Sequence, residues 1–418
     1  MPLRHLLPEH DWPQPESCTV TLVGDRARQM LTGLLQAARL SEPTQVAQLL
    51  TEQGEALGAR SVTIYLIDHE QVMLVPLPQG QAPDREPLPV ASTLAGRCFQ
   101  DLRVLEADQG RRVWVPLLDG LERLGVLQLE FPDAGDRAEE EQLLQFAALV
   151  AEIVMVKQDY GDLFHITRRR QPMSLAAEIA WTLLPPLTFG TDRLVISCVL
   201  APPYAVGGDS FDYAVDSDRA RFALFDAMGH GLNAGLLATV AVGAYRNSRR
   251  QGLGLAETVR AIDAAIAAAF GPERFVTAVL VDLDLRSGKL SWHTAGHPIP
   301  VLLRGGRVIS ALEVEPGLPL GLGGDVQPAQ EQLEPGDRLL LYTDGVVEAR
   351  SASGEFFGVP RLVDIVRRQE ADRRPVPETM RRVMHAILNH QAGELQDDAT
   401  AMLVEWRGHA AQDITPEY

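Results

Sequence analysis

A chain of 418 residues is long for one hydrophobic core and leads to an expectation of two or three domains. With 46% hydrophobic and 22% charged residues, the composition is that of a globular protein and excludes a disordered or fibrous one. Asp and Glu outnumber Lys and Arg by 56 to 38, a formal net charge of −18, which argues against a general nucleic-acid or anionic-membrane binder.

The N-terminal MPLRHLLPEHDWPQPE has no long apolar run after its charges, so it is not read as a signal peptide. No stretch approaches the roughly 20 apolar residues that span a bilayer. Cys18, Cys98 and Cys198 form no metal or disulfide pattern, and a cytoplasmic location is expected. Residues 1–24, rich in proline and charge, read as a tail. From Arg26 to Leu57 the spacing of Met30, Leu34, Leu35 and Ala38, then Val46, Leu49 and Leu50, predicts two amphipathic helices. The alternating SVTIYLID predicts a strand ended by the turn-prone Asp68-His69-Glu70, and QVMLVPL a weaker one. A Pro/Gly/Gln loop (Pro76 to Pro89) and a short helix near Ser92 to Gln100 lead to the strands RRVWVPLL and RLGVLQLEF, with Gly120 in the hairpin between them.

This order of elements, and VWVPLLDGLERLGVLQLEF above all, resembles a GAF domain, which implies a small-molecule or protein ligand; a PAS-like regulatory domain is the competing reading. No Cys or His is placed to hold a chromophore or haem, and Cys98 reads as packed. In the helix from Glu139 to about Lys157, Leu143, Phe146, Val150 and Ile153 form a stripe suited either to packing on its own domain or to a homodimeric coiled coil. The basic run Arg168-Arg169-Arg170 reads as a solvated face. SLAAEIAWTLLPP predicts a helix with Leu175, Ile179 and Leu183 aligned, ending at Pro185-Pro186.

Beyond Arg193 strands dominate: RLVISCVL, RARFALFDA, FVTAVLVDLD, KLSWHTAG, VLLR, RLLLYTDG and TAMLVEWR. Helices are predicted in pairs, at Leu232 to Gln251 with Leu255 to Phe270, and at Val359 to Glu370 with Glu378 to Asn389. Such a pattern suggests two sheets covered by helices. Four acidic clusters punctuate it: Asp209 and Asp212 in VGGDSFDY, Asp226 in LFDAMGHG, Asp344 and Glu348 in LLLYTDGVVEA, and Asp397 and Asp398 in QDDATAMLV. Carboxylates at strand ends are costly unless solvated, hydrogen-bonded or neutralised by a cation. Several converging on one point would suit a hard divalent metal such as Mg²⁺ or Mn²⁺.

Taken in order, VGGDSFD, FDAMGHGLNAGLLA, FVTAVLVDLD, AGHPIPVLL, GLPLGL, LEPGDRLLLYTDGVVEAR and DDAT resemble the metal-dependent PPM (type 2C) serine/threonine phosphatases, in the bacterial branch typified by SpoIIE and RsbU. The resemblance covers roughly residues 175–407. It implies that Asp226 bridges two Mn²⁺ or Mg²⁺ ions and that the Ala227 carbonyl is a further ligand. Asp344 would bind the second ion, and Asp397 or Asp398 would complete its site, the aligned position favouring Asp397. Asp209 would stand in or just outside the ligand shell, and Glu348 could orient water or ligand carboxylates. Asp209, Asp226, Asp344 and Asp397 are thus the expected catalytic set. Asp212 reads as a turn cap or a metal group, His230 as a general acid or a turn residue, His297 as a hydrogen-bonder beneath the site, and Thr277 as strand packing. Thr294 and Gly235 depart from the usual motif, and no phosphate-binding arginine is identified.

The fold expected is α+β: a GAF-like sensor domain (25–137), a helical connector (138–186), a PPM-type α-β-β-α sandwich (187–407) and a tail (408–418). The expected function is a sensor-regulated phosphoprotein phosphatase acting, by the resemblance, on a phosphorylated STAS-domain anti-anti-sigma protein. The alternatives are a catalytically silent scaffold of the same fold and, because VGGDSF superficially resembles GGDEF, a diguanylate cyclase-like enzyme. The latter lacks its glutamate, since Ser210 and Phe211 follow Asp209.

Overall fold

A computed structural model of the chain describes residues 25–78, 85–133, 135, 137–202, 204–205, 207–312, 315, 317–391 and 397–408. The expected tails, 1–24 and 409–418, lie outside the described residues.

The first sheet is antiparallel, ordered β3-β2-β1-β6-β5-β4. Its strands are β1 (Ser61–Ile67), β2 (Met73–Pro76), β3 (Leu88–Pro89), β4 (Leu105–Ala107), β5 (Arg112–Asp119) and β6 (Glu122–Glu130). On one face lie α1 (Asp25–Leu40), α2 (Val46–Gly54) and α4 (Glu140–Lys157), and on the other α3 (Leu94–Asp101). β1 and β6 are buried on both faces, which is why SVTIYLI and RLGVLQLE are apolar almost throughout. Leu143, Phe146, Val150 and Ile153 of α4 all sit in the core against this sheet. The stripe is therefore consumed within its own domain and offers no coiled-coil seam, because β5 presents Val113, Val115 and Leu117 to cover it.

After α5 (Leu163–Thr167), α6 (Leu175–Leu183) turns a different face inward from the one expected. Ala176, Ala177 and Ala180 are buried while Leu175 is exposed. Small side chains win here because α6 packs closely on the helix α7 (Leu232–Arg250), where a Cβ on Gly235 would stand 3.6 Å from that of Ala176.

The second half is a two-sheet sandwich between helical layers. One sheet is ordered β15-β12-β11-β10-β9, the other β14-β13-β16-β17-β8-β7, every pairing antiparallel. The strands are β7 (Thr188–Gly190), β8 (Leu194–Ala201), β9 (Asp209–Val215), β10 (Arg219–Ala227), β11 (Val276–Asp284), β12 (Lys289–Ala295), β13 (Val301–Arg304), β14 (Arg307–Ala311), β15 (Ala329–Gln332), β16 (Asp337–Tyr342) and β17 (Ala399–Trp406). Their inner faces interleave Phe211, Phe222, Val281, Trp292, Leu341 and Trp406. α7 and α8 (Leu255–Phe270) cover the first sheet; α10 (Gly358–Ala371) and α11 (Val376–His390) cover the second. Fully burying one such aromatic or leucine contributes about 1.5–3 kcal/mol.

The two halves are joined by charge as well as by chain. Arg123, at the start of β6, is buried and donates to Glu378 Oε2 at 3.0 Å and to the Pro377 carbonyl at 2.9 Å, its guanidinium lying 4.6 Å from the Phe99 ring centre. Glu378, in the first turn of α11, is fully buried and also receives Arg381 and Arg382. The run Arg168–Arg170 is not a solvated face. Arg168 donates to the Ile67 carbonyl at 3.0 Å, Arg169 pairs with Glu178, and Arg170 pairs with Glu70 at 2.9 Å. The β1–β2 turn that bears Asp68 and Glu70 supplies the counter-charges of Arg170, and α6 that of Arg169.

Candidate metal centre

Antiparallel register does the first part of the assembly. Asp209 opens β9 directly opposite Asp226 on β10, and Thr277 on β11 stands opposite Asp226 on its other side. The second sheet brings its own carboxylates to the same end. β16 runs through Tyr342 into the short helix α9 (Asp344–Val347), with Asp344 as its first residue, and β17 begins just after Asp397-Asp398.

Asp398 ties the sheets together. Its Oδ2 accepts from the amides of Gly207 (2.7 Å), Gly208 (2.6 Å) and Asp209 (3.3 Å). The paired glycines make room for this: a Cβ on Gly208 would stand 2.5 Å from the Ala227 carbonyl oxygen, and one on Gly207 2.6 Å from the Gly231 nitrogen. Gly345 is needed for the same reason, since its Cβ would lie 1.8 Å from the Asp398 carbonyl oxygen. Asp209 is buried, and its Oδ2 accepts from the Thr343 hydroxyl at 2.8 Å, which in turn accepts from the Thr400 amide at 2.9 Å. Thr277 donates to Asp226 Oδ2 over a long 3.4 Å and lies 3.0 Å from His297 Nδ1. If the hydroxyl proton points to Asp226, His297 must donate from Nδ1. Burial pushes the His297 imidazole down to about 3, so it is neutral.

The electrostatics are those of carboxylates crowded without counter-charge. Burial first, then Asp344 and Asp397, raises Asp226 to about 7. Burial, then Asp226 and Asp398, pushes Asp209 well up. Burial, then Glu348 and Asp397, raises Asp344. Burial raises Asp398 against the pull of its three amides. Among the described residues no three Asp, Glu, His or Cys side chains already close on a single ligand point. The acids instead face one another across the end of the sandwich, with Asp344, Glu348 and Asp397 open to solvent. A ring of oxygen donors whose main destabilisation is burial and mutual repulsion fits a hard divalent cation, which relieves both.

Asp212 stands apart from this group. It is buried within β9 and paired with Arg246 (2.8 Å) and Arg249 of α7, so it neither caps a turn nor faces the acids. Side-chain alternation across the pleat explains it, because three residues along β9 from Asp209 lies on the opposite face. His230 is exposed in the turn. Cys98 and Cys198 are buried, and burial raises both thiols, so neither is a nucleophile at this site. Sequence reading missed Thr343 as the support of Asp209 and the hydroxyl contact of Thr277. The one signal for the former was its place immediately before Asp344.

Comparison with known proteins finds the following likenesses. Residues 216–407 match the SpoIIE family, stage II sporulation protein E. The phosphoserine phosphatase RsbU of Bacillus subtilis is 23% identical over 238 residues, 56% of this chain and 70% of that protein. Protein IcfG of Synechocystis is 28% identical over 134 residues, 32% of this chain and only 21% of its own length. Among solved structures, the PP2C domain of SiaA from Pseudomonas aeruginosa aligns with a TM-score of 0.47 at 23% identity, over 55% of this chain and 94% of that one. The likeness to the SpoIIE family thus lies over residues 216–407, the segment that carries Asp226, Asp344, Asp397 and Asp398.

Proposed function

We propose that the protein is a metal-dependent phosphoserine/phosphothreonine phosphatase whose activity is set by its N-terminal, GAF-like domain. The observation that carries this is the gathering of Asp209, Asp226, Asp344, Asp397 and Asp398 at one end of the sandwich from four separate segments. Asp226, the Ala227 carbonyl, Asp344 and Asp397 or Asp398 would hold two Mn²⁺ or Mg²⁺ ions, with Asp209 adjoining them. Bound there, such ions would acidify a water and neutralise phosphate charge. The chain's own residues do the positioning. Thr343 fixes one oxygen of Asp209, the Gly207–Asp209 amides fix one oxygen of Asp398, and neutral His297 steers the Thr277 hydroxyl toward Asp226. Both described thiols are buried, which favours direct attack by water over a cysteinyl phosphoenzyme.

The likeness to RsbU supports a phosphorylated STAS-domain anti-anti-sigma protein as substrate, in the cytoplasm and within a partner-switching pathway. The ion-paired seam at Arg123 and Glu378 supports control by the N-terminal domain, because α11, which it holds, covers the sheet whose strand β17 begins just after Asp397-Asp398. Phosphate release from a phosphoserine STAS protein with Mn²⁺ tests this reading. Wild type should turn over, and Asp226→Asn and Asp344→Asn should fall to background. Folded wild type that releases no phosphate from that protein or from an aryl phosphate would favour the scaffold reading instead.

A further inference from the structure

Where the first sheet, the connector and the sandwich meet, they enclose a cavity of about 630 Å³, within the size range of small-molecule sites. It lies outside the acidic centre and shares no lining residue with it. Its aromatic wall is the Trp181 indole, whose ring centre stands 4.4 Å from that of His69, and Leu124, Pro185 and Leu187 extend the apolar surface. His69 lines this space at 6% exposure with no hydrogen-bond partner for Nδ1. Burial, and then the charges of Arg168 and Arg169, hold its imidazole neutral, with its pKa down to about 2. A buried ring nitrogen left without a partner is costly and is the kind of group a ligand completes.

The charge of the lining is acidic. Glu122 sits at depth, accepting from the Thr188 amide, and Arg168 faces it with Nε committed to the Ile67 carbonyl. At the mouth Asp159 and Asp162 are exposed, and neither is in an ion pair among the described residues. One guanidinium thus stands against three carboxyl groups, with His165 beside them at the rim.

We infer that this junction is a binding site for a flat aromatic molecule carrying one positive charge, held by the Trp181–His69 wall and the Asp159–Asp162 mouth. The inference deepens the sensor reading above, placing the effector between the domains, beside the Glu122-Arg123 hairpin that grips α11. Its test reads binding directly and so does not depend on phosphatase turnover.

Three compounds with one ring system and different charge serve as probes: tryptamine, indole and indole-3-acetate. Each is titrated into the full-length protein by calorimetry and by ligand-observed NMR. Tryptamine should bind saturably, about fivefold or more tighter than indole, with indole-3-acetate weakest. The double substitution Asp159→Asn/Asp162→Asn, at two exposed side chains in no ion pair among the described residues, should bring tryptamine to the level of indole. Trp181→Ala should remove binding of all three. The inference is overturned by tryptamine binding no tighter than indole-3-acetate, by binding indifferent to both variants, or by no saturable binding of any probe up to about 10 mM, a weak limit for a pocket of this size. Metal-dependent turnover, assayed on the same samples, reports separately on the phosphatase reading.

Discussion

Glu378→Ala probes the seam between the domains most directly. The carboxylate is fully buried and serves three guanidiniums, Arg123 from the first domain and Arg381 and Arg382 from its own helix. Removing it strands Arg123 and Arg381, both nearly buried, without a counter-charge. Breaking a buried pair in this way costs about 3–5 kcal/mol. Arg123→Ala should cost less, about 1–3 kcal/mol, because Glu378 keeps two arginines; the Pro377 hydrogen bond, a long one to Gln71 and the Phe99 contact go with it. The pH dependence gives an independent magnitude. Burial raises the Glu378 pKa, but the hydrogen bonds and charges of Arg381 and Arg123 outweigh it and bring the carboxyl from 4.5 to about 2. A depressed carboxyl stabilises the folded state fully above about pH 4.5, and the contribution is lost as pH falls toward 2. At about 1.4 kcal/mol per pH unit the total is about 3 kcal/mol. Urea unfolding of full-length wild type, both single variants and the double variant, at pH 7 and pH 3.5, measures all of this. The double-mutant cycle should return a coupling of at least about 1 kcal/mol at pH 7 and a smaller one at pH 3.5. Additive losses with no pH dependence would refute the reasoning and leave the seam a mere contact.

Three further outcomes are expected. Burial raises Glu122 to about 7, so its proton is held more tightly in the folded chain and stability falls as pH rises from about 4.5 to 7. Glu122→Gln should remove that slope and melt higher than wild type at pH 8 by up to about 3 kcal/mol, with no advantage at pH 4.5, as read by calorimetry. Gly345→Ala would drive a Cβ into the Asp398 carbonyl, so a folded variant should show Mn²⁺ binding weakened by about tenfold or more in a calorimetric titration. Thr343→Val deletes both the donor to Asp209 and the acceptor for the Thr400 amide, costing about 2–4 kcal/mol in thermal unfolding, whereas Thr343→Ser should stay near wild type.

Much of the site was legible because its chemistry is concentrated in short words. An acid after an apolar strand and before a glycine, as in FALFDAMG and LLLYTDG, announces a carboxylate projected from a sheet end. Periodicity likewise placed α7, α8, α10, α11 and the long strands near their observed positions. It failed where a face is chosen by a neighbour. The leucines of α6 follow helical spacing as well as its alanines do, and only the close approach of α7 selects the alanines. The stripe on α4 is equally suited to a sheet or to a second chain, and the presence of β5 decides.

The sequence by itself determined the chemical inventory: oxygen donors suited to a hard cation, glycines where backbones must touch, and strands apolar enough to bury. Those follow from residue type and local spacing. Partnership across long separations was decided only by the tertiary structure. Nothing in the order of residues says that Asp398 binds the amides of Gly207 and Gly208, that Asp212 turns away to Arg246 and Arg249, or that Arg123 reaches Glu378, 255 positions on. Each is a charge whose burial cost must be met by a specific partner, and the partner is fixed by sheet register and layer packing rather than by neighbours in the chain.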